Sequence, residues 1–143
     1  MSLNLLKKTT ELRYKQKIIL DLVSKTNIKN INLKVHNELS PLGWHIIHCA
    51  FIEVVWIRSK YLNDFYYENK LKTIADANKV NISSRSKGLP SAKELLSFTK
   101  KLFKENILLL EDFIKKKNKS IDTKELNYLI NFLIQHHGQH IEN

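Results

Sequence analysis

Ser40-Pro41-Leu42-Gly43-Trp44-His45-Ile46-Ile47-His48-Cys49-Ala50-Phe51-Ile52-Glu53-Val54-Val55 opens the segment that decides the fold. A serine before a proline marks a helix start, with Ser40 as the expected cap and Pro41 at the first helical position. The run from there to about Leu62 is apolar around much of its circumference, which predicts a largely buried helix.

Upstream, Leu12, Ile19, Leu22 and Val23 recur at helical spacing and place a first helix over about 3–26, with an irregular connection over 27–40. Downstream, residues 63–90 carry Asn-Asp, Tyr66-Tyr67, Ser83-Ser84 and Lys87-Gly88-Leu89-Pro90, the longest break in the pattern. Breaks of that length in compact domains are usually functional or crossover segments. Ser91-Ala92-Lys93-Glu94 reads as a capping box opening a third helix, with Leu95, Phe98, Leu102, Leu109 and Phe113 on its inner side. After a short break around 118–121, Asp122 and Glu125 open a fourth helix that runs almost to residue 143. One all-α domain over 1–143, a four-helix bundle, is expected.

Composition agrees. Only 3 Gly and 2 Pro occur, which disfavours a turn-rich β architecture, and the single Cys49 excludes an internal disulfide. A reducing compartment is therefore expected, and the cytoplasm follows from the lack of a signal-like segment or a long apolar run. The formal charge is +10, yet the lysines are scattered and the densest group, Lys115, Lys116, Lys117 and Lys119, falls at a helix C-terminus, where cations complement the dipole. A solvated surface is the expectation, ahead of nucleic-acid binding.

Histidines occupy positions 36, 45, 48, 136, 137 and 140. His136 and His140 share a helix face with Leu133, Phe132, Leu129 and Glu125, and so continue the inward stripe. His48 lies at helical spacing among Trp44, Phe51, Ile52 and Val55. A lone inward histidine is more often a satisfied core residue, but three on two helices must all find partners, and a shared transition-metal ion provides one. In an up-down-up-down bundle the two sites would be offset by roughly 15 Å along the axis. They converge only in an up-down-down-up bundle, whose parallel second and third helices need a long crossover; the 63–90 connection is in that place.

The segments 40–50, 89–95 and His136-His137-Gly138-Gln139-His140-Ile141-Glu142 together resemble the DinB/YfiT-like superfamily. The likeness is strongest to the N-terminal DinB-like domain of ergothioneine-type sulfoxide synthases, with its Trp-His-x-x-His, Leu-Pro-Ser and His-Glu-x-x-His-x-Glu segments. It implies His48, His136 and His140 as metal ligands, Fe(II) as the ion with Zn or Ni as alternatives, and metal-dependent thiol or sulfur chemistry on a small-molecule thiol. It also implies a homodimer, or a separate formylglycine-generating-like partner chain standing in for the synthases' second domain. His137 departs from the pattern, occupying the place of a glutamate.

Other residues receive plainer expectations. His45, one turn before His48, is expected to make a helix-edge hydrogen bond, with orienting a ligand or binding substrate as the alternatives. Glu53 lies roughly 140° around the helix from His48 and is not counted as a ligand. Cys49 points about 100° away, a buried inert thiol. Tyr66 and Tyr67 pack the crossover onto the bundle or line a pocket mouth, and Glu125 serves in capping. Three functions remain open: a metal-dependent oxidoreductase, transferase or hydrolase; a non-catalytic metal-stabilised bundle that binds a partner protein; and a basic nucleic-acid-binding bundle.

Overall fold

A computed structural model describes residues 2–25, 31–32, 40–116 and 122–142, and among these the chain is all-helical, with no strand. Helix α1 spans Ser2–Asp21 and tightens into a 3-10 turn, Leu22–Lys25. Helix α2 spans Leu42–Glu53, widens into a π-helical stretch, Val54–Ser59, and ends in one more α turn, Lys60–Leu62. Helices α3 (Tyr66–Ala75), α4 (Ala92–Lys116) and α5 (Thr123–Glu142) follow. The expected connection over 27–40 and the break at 118–121 lie largely outside the described residues, as do Lys117 and Lys119.

Two expectations about the α2 region are corrected. Ser40 does not cap the helix: its hydroxyl accepts from Arg85 Nη1 at 3.0 Å. Pro41 itself takes the cap position, and its carbonyl accepts from the backbone N–H groups of Trp44 (3.0 Å) and His45 (3.2 Å). The 63–90 stretch is not a structureless break either, because α3 forms within it. Asn63 stops α2 in the left-handed conformation at φ 55°, a state Asn tolerates better than most residues. Asp64 Oδ1 then accepts from Tyr66 N–H at 3.1 Å and starts α3, which buries Leu71 and Ala75.

The capping expectations further on hold. Ser91 Oγ accepts from Glu94 N–H at 3.3 Å, and Asp122 Oδ1 accepts from Glu125 N–H at 2.8 Å, each satisfying a donor that the first helical turn leaves unpaired.

Helix α1 packs on α4 and α5, while α2 packs on α3, α4 and α5. Leu12, Ile107, Leu110, Leu129 and Leu133 fill one part of the core; Ile46, Ile47, Ala50, Leu95 and Leu102 fill another. Each of the leucines and isoleucines among them contributes about 1.5–3 kcal/mol when taken out of water. Gly43 sits where α2 meets residues 31–32: its N–H donates to Ile31 O at 2.6 Å, and a Cβ there would come within 2.1 Å of Asn32 Oδ1. Only glycine permits that approach without displacing Asn32, whose amide donates to Pro90 O at 2.8 Å.

Candidate metal centre

Helix α3 ends against α2, and that junction fixes the first histidine. The last carbonyls of a helix lack partners within it. Here Trp44 Nε1–H donates to Ile74 O at 3.0 Å, and His48 Nδ1 lies 2.7 Å from Ala75 O. A carbonyl only accepts, so the His48 proton resides on Nδ1 and its Nε2 carries a lone pair. The Trp44 indole stacks on the His48 ring at 4.6 Å with planes 10° apart, and the Arg85 guanidinium covers the indole at 3.8 Å from its centroid.

His48, His136 and His140 do come together. One donor atom from each lies within 4.8 Å of the others, and the ring centroids are 4.5–5.1 Å apart. The Nε2 atoms of His48 and His136 are 3.2 Å apart. Nitrogens that share one ion at 2.0–2.1 Å stand roughly 3–3.5 Å from each other, so this pair already has a ligand spacing. His140 Nδ1 meets His45 Nδ1 at 2.8 Å, and His136 Nδ1 meets His137 Nδ1 at 3.1 Å. Each of the three histidines thus has its Nδ1 engaged by its own partner: Ala75 O, His137 or His45. Nε2 is then the nitrogen of each ring left for a common point, and holding an ion there would require the His136–His137 and His140–His45 protons to sit on Nδ1 of His136 and of His140. This buried histidine group could hold a metal ion.

His45 makes its contact with the His140 ring. The inward-stripe expectation is corrected in detail: His136 and His140 are half-buried on α5, and the core-facing histidine is His137, itself 0 % exposed, which continues the buried Leu126, Ile130 and Leu133. Glu125 is exposed. Tyr67 packs against Phe98 and beneath the Arg58 guanidinium, whereas Tyr66 is exposed.

Electrostatics divides the cluster. Burial pulls the pKa of His45 down to about 4, of His136 to about 2 and of His140 to about 3, helped by neighbouring imidazoles and, for His45 and His140, by the Arg85 charge. Burial also lowers that of His48, against the pull of the Ala75 carbonyl. All four are held neutral, the form a metal requires. His137 goes the other way. Burial opposes its charge, but Cys49 and Glu53 outweigh that and push it up to about 10.

The Glu53 and His137 arrangement escaped the sequence reading. Glu53 is fully buried and accepts from His137 Nε2 (2.7 Å), from Gln16 Nε2 at both oxygens (2.9 and 2.8 Å) and from Asn106 Nδ2 (3.0 Å). Arg58 Nε donates in turn to Asn106 Oδ1 at 2.8 Å. A carboxylate in the middle of so apolar a helix is the signal that was available, because it must be paired once buried. Cys49 is buried as expected, but it is one of a second group of donors with His136 and His137. No protein-family model matches the chain, and no curated protein matches it either.

Proposed function

We propose that this chain is a DinB-like metal-binding protein in which Nε2 of His48, His136 and His140 holds one divalent transition-metal ion. Fe(II) is the first choice from the sequence resemblance, with Zn or Ni as alternatives. The observation that carries the proposal is the engagement of every Nδ1 by a separate partner, which turns three neutral imidazoles toward one point. Four long helices running up-down-down-up, with 63–90 and its α3 as the crossover, account for the meeting of early α2 with the end of α5.

Three protein ligands leave coordination positions open, where a bound ion acts as a Lewis acid or activates a small ligand. The chain's own residues supply the rest. His45 and His137 orient two ligands, Trp44 walls one side of the His48 ring, and Arg85 places a positive charge beside the site. A fixed cation there favours an anionic group on the substrate. A small thiol bearing a carboxylate fits both this charge and the resemblance, so the proposed role is a metal-dependent enzyme, or an enzyme subunit completed by a partner chain, in thiol or sulfur chemistry.

Elemental analysis of the purified and reconstituted protein tests the centre. About one equivalent of a transition metal is expected, falling below roughly a tenth of an equivalent in a His48→Ala/His140→Ala double variant that keeps its helical circular dichroism. A wild-type protein that retains no stoichiometric divalent ion, or a double variant that keeps its full complement, overturns the proposal.

A further inference from the structure

His136 offers its two ring nitrogens to two different groups. Nε2 faces His48, and Nδ1 faces His137 Nδ1 at 3.1 Å. Cys49 Sγ, with one ring nitrogen each from His136 and His137, makes a donor set whose atoms all lie within 4.8 Å of one another. We propose that Cys49, His136 and His137 form a second, inner ion site that takes Cu(I).

The donor chemistry selects the ion. One thiolate with two imidazoles suits a soft, thiophilic metal. Cys49 and His137 are both 0 % exposed, so two of the three donors are shut off from the water that usually completes the coordination of a tetrahedral or octahedral dication. A closed-shell ion content with three ligands fits that dry space.

The surrounding residues hold the donors in place. His137 Nε2–H donates to Glu53 Oε2 at 2.7 Å, and Gln16 and Asn106 fix that carboxylate from the other side. The ring is thereby clamped with Nδ1 aimed at His136. A carboxylate behind an imidazole is a recurrent way of orienting a metal ligand and raising its basicity. Binding of Cu(I) displaces two protons, the Cys49 thiol proton and the one shared by the two Nδ1 atoms, and both leave to solvent. Nothing is oxidised or reduced. The inner ion uses Nδ1 of His136 and the outer one uses Nε2, so the two sites are separable by mutation.

Anaerobic titration of the full chain with Cu(I) against a chromophoric Cu(I) chelator, followed by X-ray absorption, tests the site. A copper–sulfur scattering path is expected in the wild type, lost in Cys49→Ser, where Cu(I) affinity falls at least roughly tenfold. The His48→Ala/His140→Ala variant should keep the sulfur path while losing the outer divalent ion. Protection of the thiol from alkylation by Cu(I) in the wild type gives a readout that needs no variant. Nitrogen-only scattering in the wild type, unchanged affinity in Cys49→Ser, or an unprotected thiol overturns the inner site. Loss of the outer-site proposal would leave all three measurements standing, because none of them depends on His48 or His140.

Discussion

His136 and His137 are consecutive residues on α5, and their surroundings push them in opposite directions. His136 stands half-buried among other imidazoles, and its pKa is pulled to about 2 by burial and by their like charge. His137 points inward to a carboxylate and a thiol, and is pushed up to about 10 although it is the more deeply buried of the two. The same side chain becomes an uncharged donor on one side of the helix and one member of a buried ion pair on the other. Burial alone decides neither outcome; the partner does. From this follows a division of labour. The outer cluster of His45, His48, His136 and His140 is the proposed binding feature, and the inner cluster of Gln16, Glu53, Asn106 and His137 joins four helices through buried hydrogen bonds.

Removing the inner carboxylate should break that division most visibly. Glu53→Ala leaves the amides of Gln16 and Asn106 and the His137 ring without their shared acceptor, all of them buried. Deleting one partner of a buried ion pair costs about 3–5 kcal/mol. Urea unfolding of the metal-free protein should show that loss for Glu53→Ala, against about 1 kcal/mol or less for His136→Ala, whose ring is only half-buried. Equal losses would mean that Glu53 and His136 belong to one structural cluster.

Acidity separates the clusters next, with opposite signs. The folded pKa values of His45, His136 and His140, near 4, 2 and 3, lie below the ordinary 6.5. Between those values and 6.5 the unfolded chain binds protons that the folded cluster refuses, so stability falls as the pH drops below 6.5. For His137 the folded pKa lies above the ordinary value. Its contribution is complete below 6.5 and is lost as the pH rises through about 10. The urea midpoint of the metal-free protein should therefore decline on both sides of near-neutral pH. His137→Gln should flatten the alkaline limb alone. A midpoint that rises on acidification from pH 6.5 would contradict the neutral state assigned to the outer cluster.

The outer cluster was the more legible of the two in the sequence, for a physical reason. Ligand positions repeat at i and i+4 on a regular helix, and His136 and His140 keep that spacing whatever packs around them. The cap hydrogen bonds of Ser91 and Asp122 are equally local, and both form. Helix α3 was hidden because its buried face amounts to Leu71 and Ala75, too little apolar periodicity to stand out among polar residues. Ser40 was misread because its partner, Arg85, lies 45 residues away. The inner cluster depends on three such long-range meetings, Gln16, Asn106 and His137 on Glu53, drawn from three other helices. Angular separation from His48 correctly kept Glu53 out of the outer centre, but could not say what it would meet instead.

His45 gives the finest test, because it touches the outer centre without being one of its three ligands. Its Nδ1 lies 2.8 Å from Nδ1 of His140, and an ion on His140 Nε2 would require the proton between them to sit on His140, with His45 accepting. His45→Ala removes that constraint and little else, since the residue is half-buried and its net hydrogen bond is worth about 1 kcal/mol. The urea midpoint should thus move slightly, while affinity for the divalent ion drops about 10–100-fold, the usual effect of losing a group that orients a ligand. His45→Gln, which keeps a side-chain acceptor for the His140 proton, should recover part of that loss. If His45→Ala instead unfolds the protein as Glu53→Ala does, the rim histidine carries structural weight and the boundary between the two clusters lies further out on α2. If it leaves metal affinity untouched, the tautomer of His140 is set by something other than this contact.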